Sequence, residues 1–357
     1  MVSYPVVTSK MERRKNLVLN KAGQGVLDLC SDYFDLDSSN VYVLSTGNYF
    51  NLELLSQSDF QGILNLSRLN DSRRVNKFLE VLNSKLVDGG IFVGCVQTYS
   101  NRRKSLISKY IFPINYFVYF FDTLFHRILP KLKLTQRMYF YLTKGKGRML
   151  SRAEMYGRLY SCGFEVLNQV EANDKLYFVA RKISEPTFDS SPTYGPFIKL
   201  KRVGKGGEIF KVYKLRTMYP YAEYLQDYVY KNNELDEGGK FKDDFRVSPL
   251  GSFLRKFWID ELPMFWNLIK GDMKLIGVRP LSKHYFNLYT VEVQELRTKV
   301  KSGLIPPFYA DMPKTLDDII LSEKKYLELY AKNPFKTDIK YFFKIFSNIL
   351  FRGARSK

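Results

Sequence analysis

DDFRVSPLGSFLRKFWIDELPMFWNLIKGDMKLIGVRP, residues 243–280, is the stretch that decides the reading. Arg246, Arg255, Lys270 and Arg279 supply cations, and Asp260-Glu261 supply adjacent carboxylates. Pro263 suits a first helical turn. A helix opening there directs free backbone N–H groups and a positive dipole end toward the Asp-Glu pair, which favours a bound phosphate. The plainer alternative for the pair is an N-cap followed by a first-turn acid. Upstream, residues 210–218 (FKVYKLRTM) alternate as a strand, with Lys214 and Arg216 on one face. Two such cations suit phosphate oxygens or, equally, a solvated strand face. Residues 202–207 (RVGKGG) read as a basic hairpin turn.

Working outward, the chain has 357 residues, 45% of them hydrophobic, which is enough for two domains with separate cores. Lys and Arg number 56 against 36 Asp and Glu, a formal charge of +20 that favours anionic partners. Aromatic residues make up 16%, which suits core packing, a membrane interface or base stacking. Nucleic acid is set aside because no recognition motif accompanies the charge. Cys30, Cys95 and Cys162 are too scattered for a metal site or a disulfide framework, and read as reduced thiols. With only His126 and His284, a His-based metal site or a Ser-His triad is improbable. The polar, basic N-terminus shows no signal peptide, and no apolar run reaches the ~18 residues of a transmembrane helix.

Residues 1–20 read as a loose leader. Val41–Ser45 and Gly62–Leu66 read as strands, and Asp71 as the cap of a helix burying Val75, Phe78, Leu79 and Leu82. Gly89-Gly90 then turn the chain into a buried strand, Ile91–Val96, completing a βαβ unit. Ser151 and Glu154 form a capping box for a helix over 152–161. Strands follow at 164–169 and 176–180. Pro186, Ser190, Ser191, Pro192, Gly195 and Pro196 mark an interdomain boundary.

KLRTM, DFRVSPLGSFLR and IDELPMFWNLIKGDMKLIGVRP resemble the fixed-spacing signature of the monotopic bacterial sugar transferases, the polyprenyl-phosphate hexose-1-phosphate transferases. The resemblance runs from about Ser191 to the end and implies a small α/β catalytic domain at 191–357. It implies that Asp260 attacks the sugar-bearing phosphorus of a UDP-sugar, and that polyprenyl phosphate then takes the phosphosugar. Glu261 is implied as a ligand of Mg²⁺, the cofactor. The resemblance casts Arg279 as the phosphate clamp, with Lys214, Arg216, Arg246 and Arg255 as supporting cations; any of these arginines serves equally as a structural ion-pair partner. The membrane surface is a further implied partner, at the cytoplasmic face of the bacterial inner membrane. Residues 60–182 resemble the later half of a class I methyltransferase, so 1–183 is expected to be a degenerate Rossmann-like domain. Its loop at Ser45–Tyr49 holds a single glycine, where that fold carries a Gly-rich turn.

The chain departs from the transferase pattern in three places. The apolar re-entrant helix is replaced by the first domain. G-P-R-P reads Gly277-Val278-Arg279-Pro280, and Val278 is expected to loosen the turn. Residues 303–311 (GLIPPFYAD) replace the family's following stretch. Tyr110–Leu129, within 105–132 and flanked by Arg102, Arg103, Lys104, Lys109, Arg127, Lys131 and Lys133, reads as a membrane-associating element or as a helix covering the sheet. Ile339–Phe351, with Arg352 and Arg355 beyond it, offers a second amphipathic surface. The rival functions are a catalytically altered scaffold and an AdoMet-dependent methyltransferase.

Overall fold

A computed structural model of the chain describes residues 10–56, 58–188, 195–232, 235–236, 240–241, 244–313 and 315–351. Ser190, Ser191, Pro192, Asp243, Arg352 and Arg355, and the side chain of Lys133, lie outside the described residues. The chain divides into two compact units, residues 1–194 with 220–226, and residues 195–219 with 227–357.

The first unit opens with α1 (Lys10–Ala22) and α2 (Gln24–Ser31). Residues 10–20 are therefore not a loose leader. Val18, Ala22 and Val26 are fully buried against a core that includes Leu64 and Val93, and this burial holds the helices down. Next come β1 (Val41–Leu44), α3 (Phe50–Glu53), β2 (Phe60–Arg68), α4 (Val75–Lys85) and β3 (Leu86–Val96). They are followed by α5 (Tyr99–Lys109), α6 (Ile114–Thr123), α7 (Lys133–Thr143), α8 (Arg152–Ser161), β4 (Phe164–Ala172) and β5 (Lys175–Lys182). The five strands form one sheet in the order β1-β2-β3-β5-β4. β1, β2 and β3 run parallel, and β5 is antiparallel to both its neighbours. Apolar runs such as Phe92-Val93 explain the central strands, which are buried on both faces.

Three local expectations change. Gly89-Gly90 lie inside β3, at the register shift that takes the pairing from Phe60–Leu86 to Gly62–Ile91, rather than ahead of the strand. Gly89 holds φ +77°, which a side chain resists. Asp71 does not cap α4; it accepts from Gly147 N–H at 2.9 Å and pairs with Arg68 at 3.1 Å. Ser151 does cap α8, but Glu154 does not close the box. Glu154 is buried between Lys131 and Arg158, at 3.2 and 3.0 Å. Burial pushes its carboxyl up, but the two cations outweigh it and hold it down at about 2.

Segment 105–132 contains the end of α5, α6 and the turns after it. Only Asn115 of α6 is buried, so this helix does not cover the sheet. Ile111, Phe112, Ile114, Phe117, Phe120 and Phe121 are all exposed. Of the flanking cations, Arg102 is tied to Asp122 at 2.5 Å and Lys131 to Glu154. Among the described residues, no helix is long and apolar enough to cross a membrane.

The second unit begins with the hairpin β6 (Phe197–Val203) and β7 (Ile209–Leu215), turned at Lys205–Gly207. α9 (Gln226–Asn232), the short pair β8 (Leu235–Asp236) and β9 (Lys240–Phe241), α10 (Pro249–Lys256) and α11 (Phe265–Ile269) follow. Then come β10 (Lys274–Ile276), α12 (Lys283–Phe286), α13 (Val291–Thr298) and β11 (Gly303–Ile305), with β10 and β11 paired in parallel. α14 (Phe308–Asp311), α15 (Leu316–Lys332) and α16 (Pro334–Phe351) complete the unit. Ile276, Val278, Tyr326, Tyr341 and Ile345 form its core, so β10 is roofed by the last two helices. Val278 does not loosen its turn: it is 1% exposed and its carbonyl accepts from Gly303 N–H at 2.9 Å. A Cβ on Gly303 would stand 2.1 Å from the Gly277 nitrogen, so both glycines are needed for the two chains to approach.

Candidate active site

The Asp-Glu pair sits in a six-residue 3₁₀ turn, Ile259–Met264, between α10 and α11. The helix does not open at Pro263; the dyad occupies the first turn, and Glu261 N–H is already satisfied by the Trp258 carbonyl at 3.0 Å. The turn is entered through Trp258 at φ +56°. That conformation is an outlier for a bulky residue and persists where surrounding structure enforces it. The Trp258 ring meets Tyr309 edge-on with centroids 5.6 Å apart.

Two scaffolds hold this turn. The first is Asn267 of α11, fully buried. Its Nδ2 donates to the Lys211 carbonyl at 2.8 Å and to Asp272 Oδ2 at 3.1 Å. Its Oδ1 accepts from Tyr213 N–H at 3.1 Å. One side chain thereby stitches β7 to the Gly271-Asp272 turn. The second scaffold joins Thr217 to α10. Ser248 caps α10 by accepting from Gly251 N–H at 2.9 Å and donates to the Thr217 carbonyl at 3.1 Å. Arg255 Nε donates to Thr217 Oγ1 at 3.0 Å. A Cβ on Gly251 would lie 1.9 Å from the Thr217 carbonyl oxygen, so only glycine fits there. The fixed spacing of the sequence block is therefore the spacing of these contacts.

With β7 registered by Asn267, Lys214 Nζ reaches Glu261 Oε1 at 2.5 Å. Arg202, Lys214, Glu261, Arg279, Pro306 and Tyr309 are among the residues lining one cleft. Asp260 is 8% exposed, and desolvation raises its carboxyl above the ordinary aspartate range, against the opposing pull of Lys214. Burial pushes Lys214 down, with Arg279 adding to that and Glu261 opposing it. Arg202 is likewise lowered, by burial and then by Arg279.

The other expected residues sit differently. Arg279 is exposed on the cleft wall, and its carbonyl accepts from Arg297, a buried residue paired with Glu323. Arg255 lies beside Asp260 and lowers its carboxyl. Arg246 grips Asp244 with Nε 2.8 Å from Oδ1 and a terminal nitrogen 2.7 Å from Oδ2, the geometry of a structural ion pair. β7 ends at Leu215, and Arg216 donates to the Gly195 carbonyl at 2.8 Å, so it does not share the Lys214–Glu261 contact. Lys270 lies over the Tyr213 and Trp266 rings, at 5.3 and 5.8 Å from their centroids.

Arg202 is the cleft residue that sequence reasoning missed. It precedes Arg279 by 77 positions, and the two are joined because Val203 N–H donates to the Leu281 carbonyl at 2.9 Å. No local pattern announces a pairing of that range. Among the described residues, no cluster of three His, Cys, Asp or Glu could hold a metal by itself. The Asp260–Glu261 pair does fit Mg²⁺ chemistry, because that ion is commonly held by one or two carboxylates together with substrate phosphates.

Residues 188–352 match the family model described as bacterial sugar transferase. Over 113 residues the chain is 41% identical to the galactosyl transferase CpsE of Streptococcus agalactiae, covering 31% of this chain and 25% of that protein. It is 35% identical over 108 residues to the UDP-galactose-lipid carrier transferase of Erwinia amylovora, covering 29% and 22%. The undecaprenyl-phosphate galactose phosphotransferase of Salmonella typhimurium is 35% identical over 98 residues, covering 26% and 21%. The chain thus matches about a quarter of the length of each of these relatives.

Proposed function

We propose, from the premise that the C-terminal half is a bacterial sugar transferase domain, that this chain moves a hexose-1-phosphate from a UDP-sugar to a polyprenyl phosphate. The observation that carries the reading is a buried carboxylate, Asp260, immediately before Glu261, which lines a cleft with Arg202, Lys214 and Arg279. Three cations around one anionic substrate offset the repulsion that otherwise keeps a carboxylate from phosphorus.

Asp260 Oδ forms a bond to the sugar-bearing phosphorus as the bond to the leaving phosphate breaks, releasing UMP. The acceptor lipid's phosphate oxygen then attacks the same phosphorus, and the bond to Asp260 Oδ breaks. Arg279 and Arg202 hold the diphosphate. Lys214 fixes the Glu261 carboxylate and adds positive charge. Asp260 and Glu261 are the residues that would hold Mg²⁺, which supplies charge neutralisation on the diphosphate when bound. The desolvation that raises Asp260 also strips water from the nucleophile.

The lipid acceptor calls for a membrane. The exposed face of α6, with Phe117 and Phe121 four residues apart, suits insertion among headgroups, and Arg103, Lys104 and Lys109 nearby suit anionic lipid. The same reading puts the chain, peripheral or monotopic, at the cytoplasmic face of the inner membrane. The test is UMP release from UDP-galactose and other UDP-sugars with Mg²⁺ and undecaprenyl phosphate in detergent. Release by the wild type, abolished in Asp260→Asn, supports the reading. Release that persists in folded Asp260→Asn, or none from any donor, refutes it.

A further inference from the structure

A cavity of the first unit, about 1260 Å³, opens at the carboxyl ends of its parallel strands. Its walls come from residues 45–50 after β1, residues 67–74 at and beyond the end of β2, residues 143–147 at and beyond the end of α7, and His126. Open parallel sheets bind ligands at this edge, because loops rather than ladder hydrogen bonds occupy it. The loops are tied to one another. Buried Asn65 accepts from Thr46 N–H at 3.1 Å and from Ser67 N–H at 3.2 Å, and donates to the Thr46 carbonyl at 2.9 Å. Asp71 accepts from Gly147 N–H at 2.9 Å, and the Arg148 N–H donates to the Asn70 carbonyl at 3.3 Å.

The charge on these walls is one-sided. Asp71 is the lone carboxylate among the lining residues, and Arg68 takes it in an ion pair. Arg73, Arg74, Lys144 and Lys146 remain, all exposed at the cavity. Among the described residues, none of these four forms an ion pair, so their charge is left for a ligand. Tyr49 and Phe50 stand on the same wall, their rings stacked at 4.4 Å, and Phe50 is 54% exposed. None of these residues lines the Glu261 cleft.

We propose that this cavity binds a nucleotide carrying two or more phosphates, with Arg73, Arg74, Lys144 and Lys146 on the phosphates and the Tyr49-Phe50 wall against the base. The volume exceeds the roughly 300–1,000 Å³ of ordinary ligand pockets, which leaves room for a base, a sugar and a phosphate chain. Aromatic stacking tolerates any base, since every base presents a π face. The same lining disfavours S-adenosylmethionine, whose sulfonium would meet four cations and no free carboxylate.

The experiment is calorimetric titration of the full chain with ATP, GTP, UTP, tripolyphosphate and S-adenosylmethionine. Each ligand is repeated on Arg74→Glu/Lys146→Glu, its milder form Arg74→Gln/Lys146→Gln, Tyr49→Ala, and Lys214→Ala/Arg279→Ala. Thermal melts select the folded variants. Nucleotide binding should survive in Lys214→Ala/Arg279→Ala, which separates this site from the second-unit cleft. It should weaken about tenfold or more in the charge variants, as loss of charged phosphate contacts requires. Tyr49→Ala should weaken nucleotides and leave tripolyphosphate unchanged. Binding lost in Lys214→Ala/Arg279→Ala but kept in the charge variants overturns the proposal. So does tripolyphosphate binding as tightly as every nucleotide, S-adenosylmethionine binding in preference to them, or no binding at all.

Discussion

Replacing Asn267 by Leu removes one side chain and cuts three hydrogen bonds. Two backbone groups of β7, the Tyr213 N–H and the Lys211 C=O, lose a buried partner, and Asp272 loses a donor. Leu fills similar volume, so little cavity term enters. Each broken bond costs about 1 kcal/mol, and more where a buried group is left unsatisfied, giving roughly 3–5 kcal/mol in total. The second unit is larger than 150 residues, for which about 1 kcal/mol moves the midpoint by ~2–4 °C. The expected drop is therefore roughly 6–20 °C in the melting transition of this unit. Differential scanning calorimetry of the full chain reads it, and the first unit's transition should stay in place. Because β7 carries Lys214, UMP release should fall more steeply than the folded fraction. Asn267→Asp keeps the acceptor for Tyr213 but sets a second carboxylate beside Asp272. It should be as damaging at neutral pH and partly recover as pH falls. A melting shift under about 1 °C for Asn267→Leu would refute the argument that this residue registers β7 against the catalytic turn.

Asp260→Asn should abolish transfer yet raise the stability of the second unit, since it removes a desolvated charge; a melting curve beside the activity assay checks both signs. The raised Asp260 pKa also fixes a pH dependence: between the unfolded value near ~3.9 and the higher folded value the native state holds more protons, so stability falls as pH rises through that window. Activity should run the opposite way, lost on acidification at a higher pH than a free aspartate would give, as a pH–rate profile would reveal. Gly251→Ala, which in an exposed helix gains about 1 kcal/mol, should here destabilise by about 2 kcal/mol because its Cβ meets the Thr217 carbonyl; denaturant midpoints test the reversal. Phe117→Asp/Phe120→Asp should weaken sedimentation with anionic vesicles by tenfold or more, since each buried Phe contributes ~2 kcal/mol, while leaving the melting curve unchanged.

The sequence by itself determined the local features. The motif spacing that carries Lys214 and Asp260-Glu261 is legible in the chain, but the contacts that use it, Lys214 to Glu261, Asn267 to Lys211 and Gly251 against Thr217, span 34 to 56 positions and belong to tertiary structure. The β2–α4–β3 unit was legible too, from apolar runs at strand and helix periods. Residues 10–20 read as a leader because they are polar and basic, and α1 gains its stability from burying Val18 and Ala22 on a core assembled later in the chain. Which cations line the cleft beside Glu261 is visible only in the tertiary structure. Arg246 and Arg216 carry the same charge as Arg279, but Asp244 and the Gly195 carbonyl take them, while Arg202 comes in from a hairpin read only as a turn. The cavity of the first unit has the same origin. Its cations stand on loops far apart in sequence, and only the folded sheet brings those loops to one edge. Short-range geometry is written in spacing; long-range convergence depends on which surfaces bury each other, and no local pattern encodes that.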